Sequence, residues 1–214
     1  MKIAITGGIG SGKSHVCRLL EKKGIRIYDC DNAAKRLMHE SEDLKSRLIG
    51  LVGESAYVEG RLNKKALTDF LMASDANREA LDSLVHPAVA QDFCQSGMQW
   101  MECAILYESH FDRLVDFVVA ITAPEDVRIQ RIMQRDHIDK ERAKEWIDRQ
   151  WPQQRVEALA DHVIINDGTA DLTPAIDHLI DDIILPRANF YNKPSQAMTQ
   201  HSDKTNSTIK QNIK

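Results

Sequence analysis

The run Gly7-Gly8-Ile9-Gly10-Ser11-Gly12-Lys13-Ser14 has the spacing G-x-x-x-x-G-K-[ST] and constrains this chain more than any other segment. Its flanks give it meaning. Lys2 to Thr6 is mostly apolar or β-branched and reads as a short buried strand, while Val16, Leu19 and Leu20 behind the run have helical spacing. Lys22 and Lys23 suit a helix C-terminus, Gly24 is placed as its left-handed cap, and Ile25 to Tyr28 reads as a second strand. A strand, a glycine turn, a helix and a strand form a βαβ unit with the turn at the helix start. Without side chains in the way, successive backbone N–H groups converge on phosphate oxygens, and the helix N-terminus adds partial positive charge. Lys13 would reach the β- and γ-phosphates and the Ser14 hydroxyl would ligate Mg²⁺, so a bound nucleoside triphosphate is expected.

The remaining pattern alternates in the same way. From Asn32 to about Gly97 it is helical, interrupted near Gly50 to Gly60 and at His86-Pro87. Trp100 to Leu106 and Val115 to Ile121 read as strands, and Thr122-Ala123-Pro124-Glu125 has capping-box spacing. Val127 to Gln150 reads as two charged helices separated near Asp136 to Asp139. Val163 to Asn166 is a last strand, and Thr173-Pro174 opens a helix with Ile176, Leu179, Ile180, Ile183 and Ile184 on one stripe. Five strands alternating with helices predict an α/β fold with a five-stranded parallel sheet over residues 1–192. Residues 193–214 hold almost nothing to bury and are expected to be a disordered tail.

Composition removes several functions. With 28 Lys+Arg against 32 Asp+Glu the formal charge is −4, which argues against non-specific nucleic-acid binding. The tail carries four lysines and one aspartate, so the folded part is more acidic still, and attraction for a polyanion must come from local devices. No apolar run is long enough to span a membrane, and Met1 to Thr6 is too short for a signal-peptide core, so a cytosolic setting is expected. Cys17, Cys30, Cys94 and Cys103 form no C-x-x-C pair and read as inert thiols. No D-x-x-G occurs, and the N-K pairs at Asn63 and Asn192 lack the aspartate that reads guanine. A guanine switch is disfavoured, and the small size favours a kinase over a mechanical ATPase.

Two further groups carry chemistry. Asp29 and Asp31, at the carboxyl end of the second strand, would share one face of an extended segment and face the phosphates across the strand end. One carboxylate would orient and accept the proton of an acceptor hydroxyl; the alternative is a solvated turn. Arg131 and Arg135, four residues apart on one helix face, would close over the triphosphate, or else pair with acidic neighbours in solvent. Glu108, His86 and Arg155 are ambiguous by spacing alone.

An ordered set of segments resembles the dephospho-coenzyme A kinase family, from Lys2 to about Tyr191. Ile5 to Ser14 resembles its phosphate loop, Asp29-Cys30-Asp31 its D-A-D, Gly60 to Lys64 its G-x-L-N-R and His86-Pro87 its H-P pair. Ile105 to Glu108 resembles its L-L-x-E, Gln130 to Asp136 its lid, and Gln150 to Gly168 its closing segment. The resemblance implies a P-loop kinase fold with a helical coenzyme-binding insert (about 32–97) and a lid (about 127–150). It also implies ATP-dependent phosphorylation of the ribose 3′-hydroxyl of dephospho-coenzyme A. By resemblance Lys13, Asp31 and Arg131 are catalytic, and Gly8, Ile9, Gly10, Ser11, Gly12, Ser14, His15, Arg135 and Arg155 bind ATP. Thr6, Asp29, Lys64, His86 and Glu108 would join Asp31 on the acceptor side. Lys64 stands where the family has arginine and Ala104 where it has proline. A shikimate-type kinase is the nearest rival, but its triple-glycine loop is missing here. A non-enzymatic nucleotide-binding protein would need neither Asp31 nor the lid arginines.

Overall fold

Residues 1–186 are described by the structure, a computed structural model. The expected tail, 193–214, lies outside them. The chain runs β1 (Ile3–Thr6), α1 (Lys13–Lys22), β2 (Ile27–Asp29), α2 (Cys30–Glu40) and α3 (Glu42–Val52). A small hairpin follows, β3 (Tyr57–Val58) and β4 (Arg61–Leu62), then α4 (Lys64–Ala73) and α5 (Asp75–Gln95). Next come β5 (Trp100–Glu102), β6 (Phe117–Thr122), α6 (Glu125–Asp136), α7 (Lys140–Asp148) and α8 (Gln153–Leu159). The described part closes with β7 (His162–Ile165) and α9 (Thr173–His178), which continues as a wider π turn over Leu179–Ile184.

Five strands form one parallel sheet in the order β2-β5-β1-β6-β7. β1 is central, with Ile3 level with Trp100 on one side and Phe117 on the other. Every residue of β1 and β6 is buried, because helices cover both faces. Phe117, Val119 and Ile121 pack with Ile3, Ile5, Val16 and Leu20 and with Ile176 and Leu179 of the α9 segment. Val118 and Ala120 point the other way, into a layer with Tyr28, Met101, Leu44, Leu48 and Phe93. The helices α2 to α5 are moored to the sheet edge through Asp92, which accepts from the Tyr28 hydroxyl at 2.7 Å and from Arg36 at 2.6 Å.

Three local expectations are corrected, and a fourth, the interruption near Gly50 to Gly60, is borne out and given its form. The strand read as Trp100 to Leu106 stops at Glu102: Cys103 N–H makes a last bond to Ile5 C=O at 3.0 Å, and the chain then folds into turns closed by Ser109 N–H on Ile105 C=O. Apolar Leu106 and Tyr107 are buried there by turns, not by a pleat. The break expected at His86-Pro87 does not occur, because α5 runs through it, held by a buried i, i+4 stripe of Leu81, Val85, Val89 and Phe93 while Pro87 faces solvent. The interruption near Gly50 to Gly60 is the β3–β4 hairpin, turned at Glu59 and Gly60, both with positive φ (51° and 74°). Thr122 caps nothing; it stays in β6 opposite Ile165, and Pro124 occupies the N-cap position of α6.

Candidate active site

The glycine run leaves β1 and returns as α1, and its shape depends on close backbone approaches. Gly7 has φ 142°, and a Cβ there would collide with the Ile121 carbonyl oxygen of β6. Gly12, at φ 91°, is the left-handed N-cap of α1, and a Cβ there would collide with the Asn166 side-chain amide. Inside the loop, Ser11 N–H bonds Gly8 C=O at 3.1 Å. The loop's carbonyls are held from outside by side chains. Arg131 donates to Gly10 C=O and Ser11 C=O, both at 3.2 Å, and to Asn166 Oδ1 at 3.0 Å. Asn166 Nδ2 donates to Ser11 C=O at 3.0 Å. The Ser11 hydroxyl is buried without a hydrogen-bond partner.

The loop forms one wall of a cleft of about 980 Å³ beyond the carboxyl ends of the strands. Ile9, Gly10, Gly12, Lys13, Ser14 and His15 line it on the α1 side, Asp29 and Asp31 on the β2 side, and Arg131 and Arg135 on the α6 side. The i, i+2 extended pair expected for the aspartates is corrected. The strand ends at Asp29, whose carboxylate caps α2 by accepting from Asn32 N–H at 2.8 Å and from Asn32 Nδ2 at 2.8 Å. Asp31 therefore sits in the first turn of α2, and both carboxylates still reach the cleft.

Lys13 Nζ donates to Gly7 C=O at 2.8 Å and lies 3.7 Å from Glu102 Oε1. Glu102 ends β5 level with Asp29 of β2, a position hidden in the sequence because the apolar run reads on to Leu106. The signal that would find it is an acidic residue at the end of a strand beside β1, which requires the strand order. Burial pushes its carboxyl above the usual range, Lys13 opposes this, and Asp29 and Asp31 add to it. Arg18 and Lys35, a turn further along α1 and α2, also line the cleft.

Apart from Arg135, the other expected site residues lie outside the cleft lining. Thr6 is buried at the end of β1. Arg135 is exposed and forks onto Asp136. Arg155 sits over the Trp151 ring, 3.3 Å from its centroid, and Trp151 stacks on Tyr107 at 5.9 Å, so Arg155 is not among the residues lining the cleft. Glu108 accepts from Trp151 N–H at 3.2 Å, next to Gln150 on the cleft wall. His86 packs edge-on against Phe111 and lies 3.5 Å from Asp82; burial lowers its pKa. Lys64 is exposed at the start of α4, and neither it nor His86 lines the cleft.

The Ser14 hydroxyl and the Asp31 and Glu102 carboxylates are hard oxygen donors on the cleft wall, a set that fits Mg²⁺. Among the described residues no three His, Cys, Asp or Glu side chains cluster as a metal cage of their own. No described helix is long and apolar enough to cross a membrane.

Comparison with known proteins sets this cleft in context. Residues 1–171 match the family model described as CoaE, dephospho-CoA kinase. A dephospho-CoA kinase of Porphyromonas gingivalis is 36% identical over 194 residues, covering 87% of this chain and 96% of the relative. Among solved structures, TT1252 from Thermus thermophilus superposes with a TM-score of 0.74 at 28% identity, covering 86% of this chain and 97% of the other. A dephospho-CoA kinase from Campylobacter jejuni has a TM-score of 0.61 at 22% identity, covering 88% and 100%, and shares the fold.

Proposed function

Because the chain belongs to the dephospho-CoA kinase family, we propose that the cleft at the strand ends is where it phosphorylates dephospho-coenzyme A. The enzyme transfers the γ-phosphoryl group of ATP to the ribose 3′-hydroxyl, giving coenzyme A and ADP, the last step of that cofactor's synthesis. One observation carries the placement: the phosphate loop with Lys13 and the carboxylate of Asp31 line the same cleft, a donor site facing a base.

The loop's backbone N–H groups and the N-terminus of α1 receive the triphosphate. Lys13 lines the cleft, held between Gly7 C=O and Glu102, and would bind the transferring group. Asp31 orients the 3′-hydroxyl and accepts its proton, and because phosphoryl transfer is loose, much of its contribution is orientation. Arg131, which holds the Gly10 and Ser11 carbonyls and also lines the cleft, would meet the charge that develops on the phosphoryl oxygens. Ser14, with Asp31 or Glu102 through water, would hold Mg²⁺, which when bound neutralises charge on the phosphates. Arg135 and His15, which line the cleft, complete the ATP side of the proposal and Asp29 the acceptor side; Arg155 on the ATP side and Thr6, Lys64, His86 and Glu108 on the acceptor side, outside that lining, would meet only parts of the substrates that extend beyond it. Residues 32–97 serve as the coenzyme-binding insert and 127–150 as the lid, and the setting is the cytoplasm.

Purified protein with ATP, Mg²⁺ and dephospho-coenzyme A should release ADP and a product heavier by one phosphoryl group in equal amounts, with shikimate as a control acceptor. Folded protein that turns over no dephospho-coenzyme A would sink the reading.

A further inference from the structure

Arg128 of α6 is 4% exposed, an unusual burial for a guanidinium. No carboxylate pairs with it among the described ion pairs. The nearest favourable charge, Glu125 on the preceding turn, contacts Lys144 instead, and burial pulls the guanidinium's pKa down. Burying a charge without a counter-ion costs several kcal/mol, so something must compensate.

The surroundings of Arg128 are the phosphate loop. Its Nε–H donates to Ile9 C=O at 2.9 Å, and its terminal nitrogen lies against Gly8, where any Cβ would collide with it. A Cβ on Gly10 would come within 2.7 Å of the Arg128 carbonyl oxygen, so the first turns of α6 rest on the loop backbone. On the other side of the same residue, Ile9 N–H donates to Gln150 Oε1 at 2.7 Å, just past the end of α7. The Ile9 side chain packs against Ile129, Ile132, Ala143 and Ile147 of the two helices. One loop residue is thus gripped at its N–H, its C=O and its side chain by α6 and α7.

A trans peptide points its N–H opposite to its C=O. Turning Ile9 C=O toward Arg128 therefore turns Gly10 N–H the other way, and Gly10 lines the cleft. We propose that Arg128 is a positioning residue for the triphosphate. It acts with Gln150 through Ile9 to aim the Gly10 amide, and its buried charge, lacking a carboxylate, is balanced when the polyanion binds. Nothing in the sequence distinguished it from the other arginines of its stretch. The proposal rests on the kinase reading only in that the cleft takes ATP.

The test titrates Mg·ATP into wild-type, Arg128→Lys, Arg128→Gln and Gln150→Leu proteins without acceptor, then measures steady-state kinetics for both substrates. Arg128→Gln should raise the ATP Kd and KM about tenfold or more, the scale of one charge-assisted hydrogen bond. Arg128→Lys should recover part of that loss, kcat should fall less than KM rises, and the KM for dephospho-coenzyme A should stay within about twofold. Arg128→Gln and Gln150→Leu combined should lose less than the product of their separate effects, because they share Ile9. An ATP Kd unchanged within about twofold in either Arg128 variant that folds, or equal losses for both substrates, overturns the proposal. So do independent effects in the double variant. If Arg128→Gln does not fold, Arg128→Lys decides alone on the same criteria. Wild-type protein that binds ATP but ignores dephospho-coenzyme A would sink the acceptor reading and leave Arg128 to be judged by the ATP titration.

Discussion

Asp29 commits both carboxylate oxygens to Asn32, which leaves Asp31 as the aspartate with a catalytic part to play in the proposed reaction. Asp31→Asn should lower kcat by about 10² to 10⁴ while the ATP Kd stays near normal, read by steady-state rates and nucleotide titration. An unchanged kcat would remove its proposed role. Glu102 makes a different prediction, because its folded-state pKa is raised. Such a carboxyl favours the folded protein while both states hold the proton. That advantage is lost as pH rises from the unfolded value through the folded one, so at neutral pH ionised Glu102 weakens the fold. Glu102→Gln should melt higher than wild type at pH 7, with the gap closing as pH falls below the ordinary carboxylate range, and should be less active. A lower melting temperature at pH 7 would contradict that account. The phosphate loop and the aspartates were legible because their residue types and spacing carry the chemistry locally. Glu102 was not, because its meaning comes from lying level with Asp29 on a neighbouring strand 73 positions later in sequence.

At the scale of elements, the turn from β1 into α1 is built around neighbours more than around its own preferences. Gly7 approaches the β6 backbone so closely that Gly7→Ala forces either the loop or β6 to move, on top of a φ that side chains avoid. It should cost about 2 kcal/mol or more in urea unfolding and should weaken ATP binding. An alanine variant with wild-type stability and affinity would mean that the loop is more pliable than its contacts indicate. Periodicity locates α1 and α9 through their apolar stripes, while the charged stretch Val127 to Gln150 reads as the two helices α6 and α7. It failed at Pro87, where proline chemistry suggested a break but four buried side chains spaced along α5 outweigh one lost backbone bond. It also failed beyond Glu102, where an apolar run is buried by turns; burial without alternation looks the same in sequence whichever backbone produces it.

For the whole molecule, a net charge of −4 coexists with a cleft where Lys13, Arg18, Lys35, Arg131 and Arg135 face Asp29, Asp31 and Glu102. Both substrates are polyanions, so raising salt from about 0.05 to about 0.5 M should increase both KM values severalfold through screening, with kcat affected less. KM values that stay flat across that range would contradict a focused local field. The class of fold was legible from alternating strands and helices, whereas the strand order was not, because nothing local says that the strand before the phosphate loop becomes the middle of the sheet. That order has a consequence for the chain's birth. Among the described residues β1 pairs with β5 and β6, and the last residue of β6 follows Thr6 by more than a hundred positions. At ribosomal speeds of about 5 to 20 residues per second, a strand destined to be wholly buried waits about 6 to 23 s for its neighbours to be synthesised. During that wait the helices α2 to α5 emerge and can pack on one another, but the phosphate loop has no sheet to spring from.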